Sequence, residues 1–326
     1  MQLRLKDRLK AFGQVRQAAA IRRQAAALSV ADRETLLHKV SGKTLVFAIA
    51  SGRSGTQTLA KIFEVLPDVH ATHEGVPAFQ EVMRQALSDP DLARDFLLTR
   101  KLPAIAALPE RVFVESSHVF AKGFLPPMLG LGLRPRLVFL RRDPRKIALS
   151  LERIGATPHR TVGGREHFLS PADPAMLPVA QWSDFTNYQL CYWYALETMR
   201  RQRVLHDLAV RAGCQCQWLR IEDLQTADNV WALASQLSLG VQRTSEAEVA
   251  LASRVGRAFN LKEKSPSLLR MNAELEVQEQ QVIDRIQACL PELSIRHMLN
   301  TLHRDAPVAP VEARASASQE PARIRA

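Results

Sequence analysis

Between Ser51 and Thr58 the chain reads Ser-Gly-Arg-Ser-Gly-Thr-Gln-Thr, a run whose residue types and order suit the capture of a phosphate-like anion. Gly52 and Gly55 permit backbone angles that residues with a Cβ avoid, so successive amide N–H groups can converge on one anion. Arg53, Ser54, Thr56 and Thr58 add side-chain donors. A nucleotide triphosphatase would need Gly-Lys-Ser/Thr four residues after its first glycine, whereas Gly52 is followed by Arg-Ser-Gly-Thr. The only Gly-Lys-Thr, Gly42-Lys43-Thr44, lies too early, and Leu37 stands where its leading glycine should be. A phosphate ligand remains the better reading of the loop, against an incidental tight turn.

A second constellation follows at Arg141-Arg142-Asp143-Pro144. Asp143 is a good N-cap and Pro144 suits the first helical position, which places Arg142 at the mouth of a helix. Ser150 follows Ile147 by three and precedes Ile154 by four, so a hydroxyl sits on an otherwise apolar stripe and wants a partner. Arg142 and Ser150 suit a clamp on a second phosphate, the arginine supplying forked donors. The plainer alternative is a surface arginine and a serine bonded to its own helix.

The elements that must hold these groups are legible. Thr44-Leu45-Val46-Phe47-Ala48-Ile49-Ala50 is a continuous apolar run, as expected of a strand covered on both faces in a parallel sheet. After the glycine turn, Leu59, Ile62, Phe63 and Leu66 form one inward helical stripe that Pro67 stops. Leu137-Val138-Phe139-Leu140 and Gln217-Trp218-Leu219-Arg220 read as further strands, and Val69-His70-Ala71-Thr72 as a short one.

Taken together, from about Leu45 to Leu239, these segments resemble the sulfotransferases that use 3′-phosphoadenosine 5′-phosphosulfate (PAPS). The resemblance implies a three-layer α/β/α fold with a mainly parallel sheet, of the P-loop NTPase-like sulfotransferase type. It assigns Arg53, Ser54, Gly55, Thr56 and Gln57 to the 5′-phosphosulfate, with Gly52 and Thr58 beside them in the cofactor site. Arg142 and Ser150, eight apart, fall to the 3′-phosphate. A third signature, Tyr-Glu-Asp-Leu after a strand, appears as Ile221-Glu222-Asp223-Leu224, with Ile221 in the place of the tyrosine. Thr58 stands where many cytosolic members carry an adenine-stacking tryptophan. The implied reaction moves a sulfuryl group from PAPS to a hydroxyl or amine, with Arg53 stabilising the charge. No metal is implied, and Glu222-Asp223 reads as a capping or structural pair.

An acceptor hydroxyl also needs a base. Carbohydrate and tyrosine sulfotransferases carry a catalytic glutamate at about the position of Glu74, and cytosolic ones a histidine near that of His118, there preceded by a lysine that Ser116-Ser117-His118 lacks. Glu74 is favoured because the arginine-type cradle usually accompanies it. His118 and His73 are the alternatives, each also readable as a satisfied strand-end histidine.

The 326 residues, 46% hydrophobic, can bury a sizeable core. Residues 44–303 are read as the catalytic domain, 1–43 as a basic helical extension and 304–326 as a disordered Pro, Ala and Ser-rich tail. Of the net charge of +11, residues 1–43 supply ten Lys or Arg against three Asp or Glu. The body is therefore nearly neutral, which disfavours nucleic acid as its partner. Met1 to Leu28 reads as a helix broken near Gly13, which either packs on the core or lies on an anionic membrane surface. Cys191, Cys214, Cys216 and Cys289 have no metal-site spacing and read as reduced thiols. With no long apolar run and no signal-peptide core, the expected location is cytoplasmic.

Gly155 to Pro178 shows no helical or alternating pattern and reads as a long functional loop, with Arg153, Arg160 and Arg165 nearby to meet an acidic acceptor. Gln181 to Arg203 reads as a helix with an inward stripe of Phe185, Tyr188, Tyr192 and Leu196. The acceptor is left open as a small molecule, lipid or glycan. Two other functions stay open: a nucleotide or small-molecule kinase, and a peripheral membrane or nucleic-acid-binding protein that retains the fold.

Overall fold

The computed structural model describes residues 5–257 and 272–300, so the tail read as disordered, 304–326, lies outside the described residues. Strands β1 (Thr44–Ala50), β2 (Val69–Thr72), β3 (Val112–Glu115), β4 (Arg136–Arg141) and β5 (Cys216–Arg220) form one sheet in the order β2-β3-β1-β4-β5. Every neighbouring pair is parallel. β1 runs through the centre and is buried at every residue after Thr44, as its unbroken apolar run requires. Successive side chains point to opposite faces, so Leu45, Phe47 and Ile49 enter one core and Val46, Ala48 and Ala50 another. Helices Thr56–Phe63, Ala227–Gln236 and Ser245–Ala252 cover the second face. The first is covered by the N-terminal helices and by the C-terminal half of the long helix Asn187–Arg211, giving three layers.

The chain leaves β1 toward one face, through Thr56–Phe63, and leaves β4 toward the helices of the other. Neighbouring parallel strands whose outgoing loops part in this way open a crevice at their C-terminal ends, where open α/β sheets bind ligands. Gln202, on the long helix, holds the two strand ends in place by donating to the carbonyls of Ile49 (2.9 Å) and Leu140 (2.7 Å).

Several boundaries differ from the sequence reading. Helix Leu5–Ala27 passes through Gly13 without a break. One glycine costs a helix only about 1 kcal/mol against alanine, and the helix is held by Ala18, Ile21 and Ala25, which are buried against the body. Gln17 adds a hydrogen bond to Glu81 at 2.8 Å, and Arg22 pairs with Asp89. The long helix begins at Asn187 rather than Gln181, because Thr186 and Gln189 form a capping box there. It continues to Arg211, since Leu205 and Ala209 still land on the sheet. The segment read as structureless, 155–178, contains the helix Val162–His167, started by the Thr161 side chain accepting from Gly164 N–H. Its arginines are engaged internally: Arg160 donates to Asn187 Oδ1 at 2.8 Å and to main-chain carbonyls, and Arg165 to the Arg160 carbonyl at 2.8 Å. Lys43 of the discarded Gly-Lys-Thr holds the carbonyls of Leu108 (2.7 Å) and Glu110 (2.8 Å), so it is engaged away from the glycine turn.

Candidate active site

The turn after β1 folds as its glycines demand. Gly55 takes φ 97° and serves as the N-cap of Thr56–Phe63, a helix end that no side chain caps. Its first amides therefore lie without a side-chain cap at the positive end of the helix dipole, a setting in which helix ends hold anions. Arg53 itself adopts φ 69°, an unusual angle for a residue with a side chain. Ser54 Oγ donates to the Ser51 carbonyl at 2.8 Å, and Gly52 N–H donates to the Tyr194 hydroxyl at 3.1 Å. Neither glycine tolerates a side chain. A Cβ on Gly52 would stand 2.5 Å from the Phe168 ring, and one on Gly55 2.7 Å from Ile221 Cβ. The Ile221 signature thus packs against the turn. Its neighbour Asp223 accepts from Arg220 N–H at 2.8 Å, a structural cap. Thr56 is buried, and Gln57 and Thr58 are half-buried on the same turn.

Arg142 and Ser150 arrive from the end of β4 and from helix Pro144–Arg153, which starts as expected, with Asp143 accepting from Lys146 N–H at 3.0 Å. The two constellations meet in one place. Arg53 Nε donates to Ser150 Oγ at 3.0 Å, and Arg142 Nη1 donates to the Arg53 carbonyl. The serine on the apolar stripe therefore finds its partner across the crevice, not on its own helix. Burial, and then the neighbouring Arg142, lowers the Arg53 pKa from its ordinary value. Arg142 Nε is buried and has no hydrogen-bond partner among the described residues. Two close guanidiniums with an unmet donor want an anion between them.

The candidate bases form a single cluster at the ends of β2 and β3. His118 Nε2 lies 3.2 Å from Glu74 Oε1, so the two rival bases are a pair. Lys122 Nζ lies 2.9 Å from His118 Nδ1 and also donates to the His167 carbonyl. These contacts assign the histidine proton to Nε2, donating to Glu74, with Nδ1 accepting from Lys122. Burial, then Lys122, pushes His118 down to about 4. Burial alone would raise Glu74, but the hydrogen bond and charge of His118, with His73 and His167 behind them, bring it down to about 2. At neutral pH the pair is a carboxylate beside a neutral imidazole. His73 uses Nδ1 on the Ser116 carbonyl at 2.7 Å, a strand-end tie.

Four contributors escaped the sequence reading: Lys122, Tyr194, Phe168 and Arg84. Lys122 had a signal, since it is the one charge in the apolar run Val119-Phe120-Ala121-Lys122-Gly123-Phe124, four residues after His118. Burial drives its ammonium well below the ordinary value. Tyr194 sat unnoticed in an aromatic run, and burial pushes its hydroxyl up to about 12, keeping it a neutral partner for Gly52. Arg84 clasps the 164–173 segment, donating to Asp173 (2.6 Å), to the Arg165 carbonyl (2.6 Å) and to the Phe168 carbonyl.

Among the described residues no helix is long and apolar enough to cross a membrane. No family model matches the chain, and no curated protein matches it. Among solved structures it is similar to a sulfotransferase domain from the curacin biosynthetic pathway, at 16% identity and a TM-score of 0.42, over 81% of this chain and 99% of that domain.

Proposed function

We propose that the protein transfers a sulfuryl group from PAPS to an acceptor hydroxyl or amine. The observation that carries this reading is the meeting of two anion grips: the Arg53 guanidinium on Ser150 at 3.0 Å, with Arg142 on the Arg53 carbonyl. A ligand with two anionic ends, such as a nucleoside 3′,5′-bisphosphate, matches two grips in one crevice. The orphaned Arg142 Nε and the uncapped helix end fit such a ligand. A kinase reading would want a lysine in the turn, and Lys43 is engaged elsewhere.

The donor, when bound, supplies an activated sulfur whose bond to the 5′-phosphate oxygen breaks as the acceptor oxygen bonds to it. The chain's own groups do the rest. Arg53 and the turn amides hold the phosphate that takes the leaving electron pair, which is electrostatic stabilisation by groups already oriented. Glu74 takes the acceptor's proton on the carboxylate oxygen that His118 does not hold. His118, with its own proton directed at Glu74 and its other nitrogen engaged by Lys122, positions that carboxylate. A carboxyl near 2 is a weak base, but the anionic donor placed beside it raises its proton affinity toward the working range. Arg142 and Ser150 hold the far phosphate and set the register.

Calorimetry tests the reading. The 3′,5′-adenosine bisphosphate is expected to bind without metal, and Arg142→Lys to weaken it by about tenfold or more, because a point charge does not replace a fork. Preference for ATP with magnesium over the bisphosphate would overturn it.

A further inference from the structure

Phe168 belongs to the clasped segment, yet its ring touches both halves of the site. It is buried, stacks on the His118 ring at 5.2 Å and 14°, and meets the Tyr194 ring edge-on at 5.1 Å. Its Cε1 closes on Gly52 so tightly that a Cβ there would lie 2.5 Å away. Lys122 Nζ stands 5.2 Å from its centroid. Every one of these neighbours belongs to the anion turn, to the proposed base or to their immediate supports, so the ring fills the gap between the two. It is also fixed from behind. Arg84 holds the Phe168 carbonyl, the Arg165 carbonyl and Asp173, while Lys122 holds the carbonyl of His167, one residue before.

We propose that Phe168 is the wall that keeps water off the transferring group, and that it thereby sets the ratio of transfer to hydrolysis. The proposal rests on the sulfuryl-transfer reading. An activated sulfur accepts water as readily as an alcohol. Water oxygen bonds to sulfur, the bond from sulfur to the 5′-phosphate oxygen breaks, and the products are sulfate, 3′,5′-adenosine bisphosphate and the two protons of water. Glu74, poised to take a proton, would assist this loss unless water is kept out. A rigid apolar ring between turn and base excludes a water molecule without adding a group that could react. Arg84 acts through it, as a positioning residue.

The test measures sulfate released from PAPS with no acceptor present, alongside bisphosphate affinity by calorimetry. Phe168→Ala is expected to raise sulfate release by about tenfold with bisphosphate affinity unchanged. Phe168→Leu, which keeps apolar bulk, is expected to raise it less, and it carries the comparison should the alanine variant fail to fold. Arg84→Met is expected to raise release in the same direction, with wild-type affinity. Unchanged release in a Phe168→Ala protein that binds the bisphosphate overturns the wall and leaves the donor reading standing. Much tighter bisphosphate binding without extra sulfate also overturns it, since the ring would then be standing in the donor's place. Failure of the wild type to bind either PAPS or the bisphosphate removes both proposals together.

Discussion

Two glutamates stand at the C-terminal ends of neighbouring strands, and their surroundings drive them in opposite directions. Glu115 ends β3, is wholly buried, and lies 2.8 Å and 3.1 Å from Lys101 Nζ. Glu74 lies just beyond β2 and is partly open to solvent, with one oxygen on His118. Burial, only partly offset by Lys101, raises Glu115 to about 7, while the imidazoles around Glu74 bring it to about 2. Lys101 is saturated, its three protons directed at the two Glu115 oxygens and the Gly75 carbonyl at 3.0 Å. That last bond ties the closed pair to the Glu74 turn, where Glu74 itself takes φ 54°. A carboxylate whose partner is fully engaged holds a fold together. One with an oxygen left over can take part in chemistry.

The largest effect that separates them is expected from Glu74→Gln, a loss of about 10²–10⁴-fold in turnover with bisphosphate binding and thermal midpoint near wild type. Glu115→Gln should do the reverse, moving stability more than turnover. Full turnover in Glu74→Gln would return the base to His118 or His73 and end the contrast. Next in size is Lys101→Met, which leaves a buried acid unpaired and is expected to cost about 3–5 kcal/mol in a urea titration. The double variant Lys101→Met with Glu115→Leu should recover most of that, since an apolar pair of similar bulk replaces a buried ion pair. If the double variant stays as unstable as the single one, the pair does more than fill space.

His118 sharpens the comparison at a smaller scale. In the assignment above it is a positioning residue, so His118→Asn, which keeps a donor, should lose less turnover than His118→Ala. The alanine variant is expected to fall by about 10–100-fold, the equivalent of one hydrogen bond to a charged group. The discriminating readout is the acid limb of the pH–rate profile. Removing the imidazole lets the Glu74 carboxyl rise from about 2, so the limb moves up in pH. An unmoved limb would mean that His118 only packs.

How far the site was readable follows from where its parts lie in the chain. The glycine turn was legible because strand, glycines and helix are contiguous, so local backbone geometry sets the turn between Ala50 and Thr56. Arg142 and Ser150 were legible for the same reason, since Asp143 and Pro144 fix a helix start and eight residues set the spacing. Their direct contact with Arg53 was not. Sequence placed the two grips at separate ends, and only the sheet order, which sets β4 beside β1, brings them together. Glu74 and His118 looked like rivals because 44 positions separate them, yet β2 and β3 are hydrogen-bonded neighbours with Thr72 opposite Glu115. The clasp of Arg84 on the 164–173 segment joins two regions with no shared pattern, and nothing local distinguishes that arginine from a solvated one. Gly13 misled for a complementary reason, because propensity weighs a residue alone and the helix is held by what it packs against.

The smallest expected effect is also the one that needs the two glutamates together. Glu115 titrates near 7 in the folded chain against an ordinary 4.5, so the folded state binds the extra proton. Its contribution to stability is whole below about pH 4.5 and is lost as pH rises through 7. Glu74, at about 2 against 4.5, runs the other way, present above about 4.5 and lost as pH falls toward 2. His118, at about 4 against an ordinary 6.5, gains stability as pH rises to about 6.5 and offsets Glu115 over that range, so the Glu115 contribution is read as the urea midpoint of the wild type minus that of Glu115→Gln, a difference that should fall from about pH 5 to 8. Glu115→Gln cannot titrate there, whereas Glu74→Gln should keep the wild-type pH dependence across the window. A difference that stays constant across the window would mean that Lys101 holds Glu115 ionised, bringing the two carboxylates closer in kind than their surroundings imply.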